Sequence, residues 1–184
     1  MKYKITAVLL AGLIISIYLA GCSNTPAPSD NASSGDSANA AVTFTATDTE
    51  GTEVSSDLFA NSALTMINVW ATYCNPCLNE MPGLGELASE YDTSDLQLIG
   101  IISDVQEGAD EETFSHALDL IEQTGADYPH LLLNESLYYG LLADVTAVPT
   151  TFFIDSDGII LDTIVGSMEK EDWKEKINEF LQEM

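Results

Sequence analysis

The pair Cys74-x-x-Cys77 lies between two segments of different pattern, and this junction constrains the fold more than any other feature of the sequence. The preceding run, 64–70, is apolar and partly β-branched, which predicts a buried strand. Residues 77–91 carry apolar side chains at helical spacing and predict a helix with one buried face. The first cysteine therefore falls at a helix N-terminus, where unpaired N–H groups and the helix dipole favour an anion. This environment generally lowers the pKa of a thiol, and the thiolate is the reactive form.

Other uses of a cysteine pair fit the sequence less well. The third cysteine, Cys22, lies near the N-terminus, so Cys74 and Cys77 are the only neighbouring pair. A structural disulfide between residues three apart would close a tiny loop and stabilise little. A zinc site needs four ligands, but there is no second C-x-x-C, and His116 and His130 lack ligand spacing. Both alternatives stay open, and the spacing favours redox chemistry over them.

The charge balance is strongly acidic. The chain holds 30 Asp and Glu residues against 5 lysines and no arginine, a formal net charge of −25. Such a surface repels nucleic acid and anionic lipid headgroups, which argues against a nucleic-acid partner. Because 46% of the residues are apolar, the chain can still bury a core. We interpret the charge as a solvated surface; steering of a basic partner and adaptation to a salty medium are the alternatives.

The first residues have the organisation of a signal peptide. Lysines at positions 2 and 4 precede 5–20, a run of sixteen residues without charge. That run is shorter than the roughly 20 apolar residues of a membrane-spanning helix, and it suits a signal sequence. It ends in Leu-Ala-Gly-Cys at 19–22, which resembles the lipobox of bacterial lipoproteins. The resemblance implies cleavage before Cys22 and acylation of its thiol with diacylglycerol; an uncleaved membrane anchor is the alternative.

The following segment, 23–41, is rich in Ser, Asn, Ala, Pro, Gly and Asp and predicts a flexible tether. Its nineteen residues would span roughly 25 Å. We therefore expect a signal peptide at 1–21, the acylated cysteine and tether at 22–41, and one folded domain at 42–184. The lipid anchor would hold this domain on the extracytoplasmic face of the cell membrane.

The domain alternates strand and helix patterns. Beyond the junction described above, they predict strands at 42–45, 96–102, 150–154 and 159–165, and helices at 111–123, 136–143 and 169–184. A turn at 47–51 leads to a further segment, 54–59, and Asp-Ser-Asp-Gly at 155–158 predicts a hairpin between the last two strands. The last helix would bury five side chains: Trp173, Ile177, Phe180, Leu181 and Met184. This order predicts an α/β fold with a sheet covered on both faces.

Three motifs together carry a resemblance to a known family. They are Trp-Ala-x-Tyr-Cys-x-Pro-Cys at 70–77, Glu-Met-Pro at 80–82 and Val-Pro-Thr-Thr at 148–151. On these motifs, residues 42–184 resemble the thioredoxin superfamily, and specifically its TlpA/ResA-like thiol–disulfide oxidoreductases. The resemblance implies a thioredoxin-like fold with a central mixed sheet, helices on both faces and an N-terminal hairpin. It also implies a cis bond before Pro149, in a loop that faces the cysteines and offers backbone groups to an extended substrate.

The resemblance also assigns catalytic roles. Cys74 would attack a partner disulfide, and Cys77 would resolve the mixed disulfide. Glu80 matches the family's glutamate three residues after the second cysteine, where its carboxylate could exchange a proton with Cys77. The alternative for Glu80 is an acid early in a helix that interacts favourably with the dipole. Asn68 takes the position of the buried aspartate of thioredoxins proper and cannot act as a proton acceptor.

The substrate surface of the family maps onto both sides of the cysteines. The predicted substrate-contacting residues are Trp70, Tyr73, Asn75, Pro76, Val148 and Pro149. Core packing explains Trp70 equally well. No metal or cofactor is expected beyond the Cys74–Cys77 dithiol/disulfide.

The implied enzyme is a monomeric protein-disulfide reductase acting on envelope proteins, for example in cytochrome c maturation or repair. A membrane electron donor of thiol–disulfide type would recharge it. A disulfide-forming oxidase is the first alternative, because Asn75-Pro76 departs from the common Gly-Pro and Glu-Pro dipeptides that tune the redox potential. A metallochaperone would need C-x-x-x-C with a distal histidine, and a peroxidase of peroxiredoxin type would need an arginine; the chain matches neither.

Overall fold

The computed structural model describes residues 40–184. The predicted signal peptide, the lipidation residue Cys22 and nearly all of the predicted tether lie outside this range, so these assignments stay predictions. Within residues 40–184, no helix is both long enough and apolar enough to cross a membrane.

A five-stranded mixed sheet forms the centre of the fold, with the strand order β5-β4-β3-β6-β7. Its strands are β3 (Leu64–Trp70), β4 (Leu96–Gln106), β5 (His130–Leu133), β6 (Thr150–Asp155) and β7 (Ile160–Val165). β3 runs parallel to β4 and antiparallel to β6, while β4 is parallel to β5 and β6 antiparallel to β7. Every residue of β3 is buried, as its apolar run predicts for a central strand. The predicted mixed sheet is confirmed.

An antiparallel hairpin precedes this sheet, formed by β1 (Thr45–Thr47) and β2 (Glu53–Ser55). The predicted N-terminal hairpin is confirmed, although its first strand lies later than the predicted 42–45. A 3₁₀ helix, Ser56–Asn61, follows β2, and the Ser55 side chain accepts a hydrogen bond from the Asp57 N–H at its start. Because the Ser55 hydroxyl caps the 3₁₀ helix, β2 ends at this residue. The apolar pattern of the segment did not indicate this boundary.

Helices cover both faces of the sheet, as predicted. They are α1 (Asn75–Glu90), α2 (Glu111–Thr124), α3 (Glu135–Leu137) and α4 (Lys170–Glu183). One apolar core joins α1, α2 and α4 to the sheet face that carries Leu64 and Met66. A second core joins the opposite face, with Ile67 and Val69, to the N-terminal segment and α3. The alternation of β3 side chains between these cores is the period-two pattern of a strand buried on both faces.

Two helical predictions need correction in detail. The predicted helix at 136–143 is helical, but α3 continues as a π-helical turn, Tyr138–Leu142. Gly140 in that turn is required by packing, because a Cβ there would lie 2.1 Å from the Thr43 carbonyl oxygen. The predicted burial of Met184 is wrong: the residue is 57% exposed. It follows the last residue of α4, where the helical periodicity that predicted its burial no longer applies.

Candidate redox site

Cys74 and Cys77 are joined by a disulfide at the N-terminus of α1. Cys74 is the N-cap residue, and its Sγ accepts a hydrogen bond from the Cys77 N–H at 3.2 Å. Cys74 is 6% exposed and Cys77 0%, so the first sulfur is the one that a partner can reach. The same N–H group and the helix dipole would stabilise a Cys74 thiolate after reduction. Pro76 occupies the first turn, where a missing N–H leaves no helical bond unmade.

The loop from β3 to α1 is fixed by hydrogen bonds. The Cys74 N–H donates to the Ala71 carbonyl at 3.0 Å, which closes a tight turn. The Thr72 N–H donates to Asp104 Oδ1 at 3.0 Å, and the Thr72 hydroxyl donates to Asp104 Oδ2 at 2.6 Å. Because Asp104 belongs to β4, these bonds tie the cysteine loop to the neighbouring strand.

The proline loop lies beside the cysteine loop. The Val148–Pro149 peptide bond is cis, which confirms that prediction. Val69 of β3 pairs with Thr150 of β6, so the loop before β6 meets the end of β3 from which the cysteine loop starts. Tyr73 of the cysteine loop and Val148 line one groove of about 230 Å³. The fold therefore brings the two predicted halves of the site together.

Glu80 is buried one turn after Cys77, and three donors converge on its carboxylate. Asn68 Nδ2, from β3, donates to Oε1 at 3.0 Å. The Met168 N–H and Trp173 Nε1 donate to Oε2 at 3.1 and 3.2 Å. One carboxylate thus links α1 to the central strand, to the segment before α4, and to α4 itself.

Opposed effects act on the pKa of Glu80. Burial is the largest and raises the pKa, because it disfavours the charged form. The hydrogen bonds from Asn68, Met168 and Trp173 lower it, and the net result is a pKa above the ordinary value. A carboxylate with a raised pKa binds a proton more readily than an ordinary glutamate does. Glu80 is therefore chemically suited to exchange a proton with Cys77 on the same side of the helix.

The predicted substrate-contacting residues differ in their accessibility. Those that reach solvent are Tyr73, Asn75, Pro76 and Val148. Trp70, by contrast, is fully buried, and its Nε1 donates to His130 Nδ1 at 3.1 Å. Direct contact between Trp70 and a substrate is therefore not supported, and core packing, the alternative assignment, accounts for it.

Sequence reasoning missed the groups that hold Glu80 and Trp70 in place. Asn68 carried a signal: it is a single amide in an otherwise apolar strand, and buried amides need partners. Met168 and Trp173 carried none, because they lie 88 and 93 residues from Glu80. His130 is a similar case, since 60 residues separate it from its partner, the indole.

Fold and site together define the class: this is a thioredoxin-fold protein whose own cysteine pair can exchange electrons with a partner disulfide. A family model described as the AhpC/TSA family matches residues 38–163. The thiol-disulfide oxidoreductase ResA of Bacillus thuringiensis is 30% identical over 132 residues, which are 71% of this chain and 70% of that protein. The chain therefore belongs to the AhpC/TSA family, as a ResA-like thiol–disulfide oxidoreductase of the thioredoxin superfamily.

Two further comparisons agree. The thiol:disulfide interchange protein DsbE of Pasteurella multocida is 30% identical over 128 residues, 70% of this chain and 65% of DsbE. The solved structure of a thiol:disulfide interchange protein from Chlorobium tepidum superposes with a TM-score of 0.65. That structure covers 80% of this chain and 99% of its own, at 22% identity, and shows the same fold.

Proposed function

We propose that this enzyme reduces disulfide bonds in proteins of the bacterial cell envelope through the Cys74–Cys77 dithiol. The arrangement of the pair carries the proposal: Cys74 caps α1, keeps 6% exposure and accepts a hydrogen bond from the Cys77 N–H, whereas Cys77 is fully buried. An accessible thiolate stabilised by a helix N-terminus, with a second thiol one turn away, is what disulfide exchange requires.

The reaction proceeds in two balanced steps. The Cys74 thiolate attacks one sulfur of the partner disulfide, forming a mixed disulfide and releasing the other partner sulfur as a thiolate. Cys77 then loses its proton and attacks Cys74 Sγ, which forms the Cys74–Cys77 disulfide and releases the second partner thiolate. The partner gains two electrons, and its two thiolates take up one proton that Cys77 released and one from water, while the enzyme is oxidised to the disulfide. Glu80 is the proposed acceptor of the Cys77 proton, because it lies one helical turn away and its pKa is raised.

The proposed substrate-contacting surface consists of Tyr73, Asn75, Pro76, Val148 and Pro149. The exposure of Tyr73, Asn75, Pro76 and Val148, and the groove that Tyr73 and Val148 line, support this assignment. Pro149 is buried, and it would contribute through the backbone of its loop. An extended partner segment would pair with the backbone of the proline loop while its disulfide faces Cys74.

The proposed location follows from the N-terminal sequence. An acylated Cys22 and the tether would hold the domain on the outer face of the cell membrane, as a monomer with no cofactor beyond its own disulfide. Substrates would be disulfide-containing envelope proteins, as in cytochrome c maturation or repair. A membrane electron donor of thiol–disulfide type would return the enzyme to the dithiol form. The name of ResA, a thiol-disulfide oxidoreductase, agrees with this reaction.

A reduction assay tests the proposal. The pre-reduced full chain should cleave insulin disulfides, and Cys74→Ser should abolish this activity. Cys77→Ser should instead accumulate mixed disulfides with its partners, which identifies them. A reduction potential of about −270 mV or lower for the Cys74–Cys77 pair supports a reductase. A value of about −120 mV supports the alternative, a disulfide-forming oxidase. A wild-type dithiol that cleaves no disulfide would contradict the proposal.

A further inference from the structure

His130 lies outside the cysteine loop, the Glu80 network and the proline loop, yet both of its ring nitrogens are paired. It is the first residue of β5 and is buried. Its Nδ1 accepts a hydrogen bond from Trp70 Nε1 at 3.1 Å, and its Nε2 lies 3.0 Å from the Ala126 carbonyl oxygen.

These two partners determine the tautomer of His130. An indole N–H can only donate and a carbonyl oxygen can only accept, so Nδ1 is unprotonated and Nε2 carries the hydrogen. A proton on Nδ1 would set two donors against each other in the core. Consistently, burial lowers the pKa of His130 to about 4. At neutral pH the ring is therefore a fixed acceptor for Trp70.

The residues around the imidazole fit its shape. Gly100 of β4 pairs with His130 across the sheet, and a Cβ on Gly100 would lie 2.1 Å from Nδ1. The Tyr128 ring packs against the imidazole with centroids 4.5 Å apart, and the Trp70 ring lies edge-on at 5.6 Å. Glycine on one strand and two aromatic rings thus hold the imidazole with Nδ1 directed at the indole.

A short path of contacts leads from the indole to the reactive sulfur. Trp70 is the last residue of β3, and its carbonyl accepts a hydrogen bond from Ser103 Oγ at 2.9 Å. The next residue, Ala71, provides the carbonyl that accepts the Cys74 N–H. A shift of Trp70 would therefore move this turn, and with it Cys74 Sγ relative to the Cys77 N–H.

We propose that His130 is a positioning residue for the redox pair: its Nδ1 holds Trp70, and through Trp70 it holds the turn that places Cys74 Sγ at the N-terminus of α1. The inference deepens the proposed function and rests on it, because Cys74 is the proposed nucleophile. Without the bond, the turn relaxes, the contact between Cys74 Sγ and the Cys77 N–H lengthens, and the Cys74 thiolate is less stabilised.

Asparagine and glutamine separate the two bonds of the imidazole. The shorter asparagine places its carboxamide oxygen where Nδ1 lies, and the longer glutamine places its carboxamide nitrogen where Nε2 lies. Each variant thus keeps one bond and loses one, so both should lose similar stability. The measurements are the rate at which iodoacetamide alkylates Cys74 in the reduced full chain at one fixed pH, and the reduction potential of the pair.

His130→Gln should slow alkylation roughly two- to tenfold, the range that one hydrogen bond contributes, and should shift the reduction potential. His130→Asn should stay within about twofold of wild type on the same scale. Equal rates in the two variants, whether both normal or both slowed, would overturn the proposal.

Trp70→Phe provides an independent check because it removes the indole N–H from the other side. It should slow alkylation as much as His130→Gln, and the double variant should be no slower; additive slowing would contradict the proposal. If a variant fails to fold, ¹⁵N NMR of the His130 ring nitrogens in the wild-type chain tests the tautomer instead. An unprotonated Nδ1 supports the proposal, and a protonated Nδ1 overturns it. A wild-type chain that reduces no disulfide would refute the proposed function without changing these comparisons.

Discussion

Replacing Glu80 with glutamine removes a charge and an exchangeable proton while keeping the shape of the side chain. The Gln oxygen in the place of Oε2 can accept from Met168 and Trp173, and its NH₂ group then faces Asn68. The Oδ1 of Asn68 has no hydrogen-bond partner within the described part of the chain, and the Thr151 hydroxyl that accepts from Nδ2 can also donate. The amide can therefore turn and accept from this NH₂ group. We therefore expect the free energy of unfolding of Glu80→Gln to stay within about 1 kcal/mol of wild type.

The expected effect on Cys77 is larger. Residues three apart in a helix have Cβ atoms roughly 5–6 Å apart, and we take the charges at the ends of the two side chains to be about 8 Å apart. At an effective dielectric constant of about 20, a carboxylate and a thiolate at that distance repel each other by about 2 kcal/mol. Removing the carboxylate should lower the pKa of the Cys77 thiol. Where Glu80 is ionised, the population of the Cys77 thiolate should rise on the order of 30-fold.

The assay is the alkylation rate of Cys77 against pH in Cys74→Ser chains with glutamate or glutamine at position 80, read by mass spectrometry. Glu80→Leu is the matched control, because it also removes the charge but leaves three donors without an acceptor. It should cost about 3 kcal/mol or more of stability, which glutamine avoids. An identical Cys77 profile with glutamate and glutamine would refute the role of Glu80.

Three further outcomes follow from the packing and the electrostatics. Gly85→Ala should lose about 1–3 kcal/mol of stability in urea unfolding, because its Cβ would lie 2.1 Å from the carbonyl oxygen of Gly125, the residue that follows α2. Gly83→Ala in the same helix should change stability by less than about 1 kcal/mol. Burial lowers the pKa of His130 to about 4, so the unfolded chain takes up this proton first as pH falls. The stability that neutral His130 contributes is complete above about pH 6.5 and decreases by up to about 3 kcal/mol as the pH falls towards 4. Urea unfolding at several pH values should show this decrease in the wild type and not in His130→Asn. Asp104→Ala should slow alkylation of Cys74 by roughly two- to tenfold, because the cysteine loop loses its anchor on β4; an unchanged rate would show that the anchor is dispensable.

Elements with strong local patterns could be predicted from the sequence. The apolar run of β3 has the pattern of a strand buried on both faces, and α2 has both an aspartate N-cap and the left-handed Gly125 at its C-terminus. The boundary after β2 and the π-helical turn were harder to predict. The boundary between β2 and the 3₁₀ helix depends on one serine hydroxyl, Ser55, and the π-helical turn packs against the distant Thr43. Apolar periodicity contains neither kind of information.

The candidate site also has one part that local sequence spacing predicts and another that depends on contacts between distant residues. The spacing of Cys74, Cys77 and Glu80 places them on consecutive turns of one helix, which the sequence alone indicates. The surroundings of Glu80 depend on contacts between residues that are distant in sequence. Its pKa is a balance between burial and hydrogen bonds from three separate elements, and the sequence order does not show which donors meet. The predicted substrate contact of Trp70 is not supported for the same reason, because its burial involves His130, a residue 60 positions away. Core packing, the other assignment, accounts for it.

The identity of residue 68 explains how the buried carboxyl group can change its charge state. Oε2 of Glu80 faces two donors, the Met168 N–H and Trp173 Nε1, so a proton on the carboxyl group must reside on Oε1. Oε1 faces Asn68, and an amide can present either Nδ2 to a carboxylate or Oδ1 to a carboxylic acid. Asn68 therefore keeps a bond to Glu80 in both charge states, whereas an aspartate at position 68 would repel the ionised form. Because residue 68 is an amide, the group that can change its charge is Glu80 on the helix, one turn from Cys77, the thiol that we propose loses a proton to it.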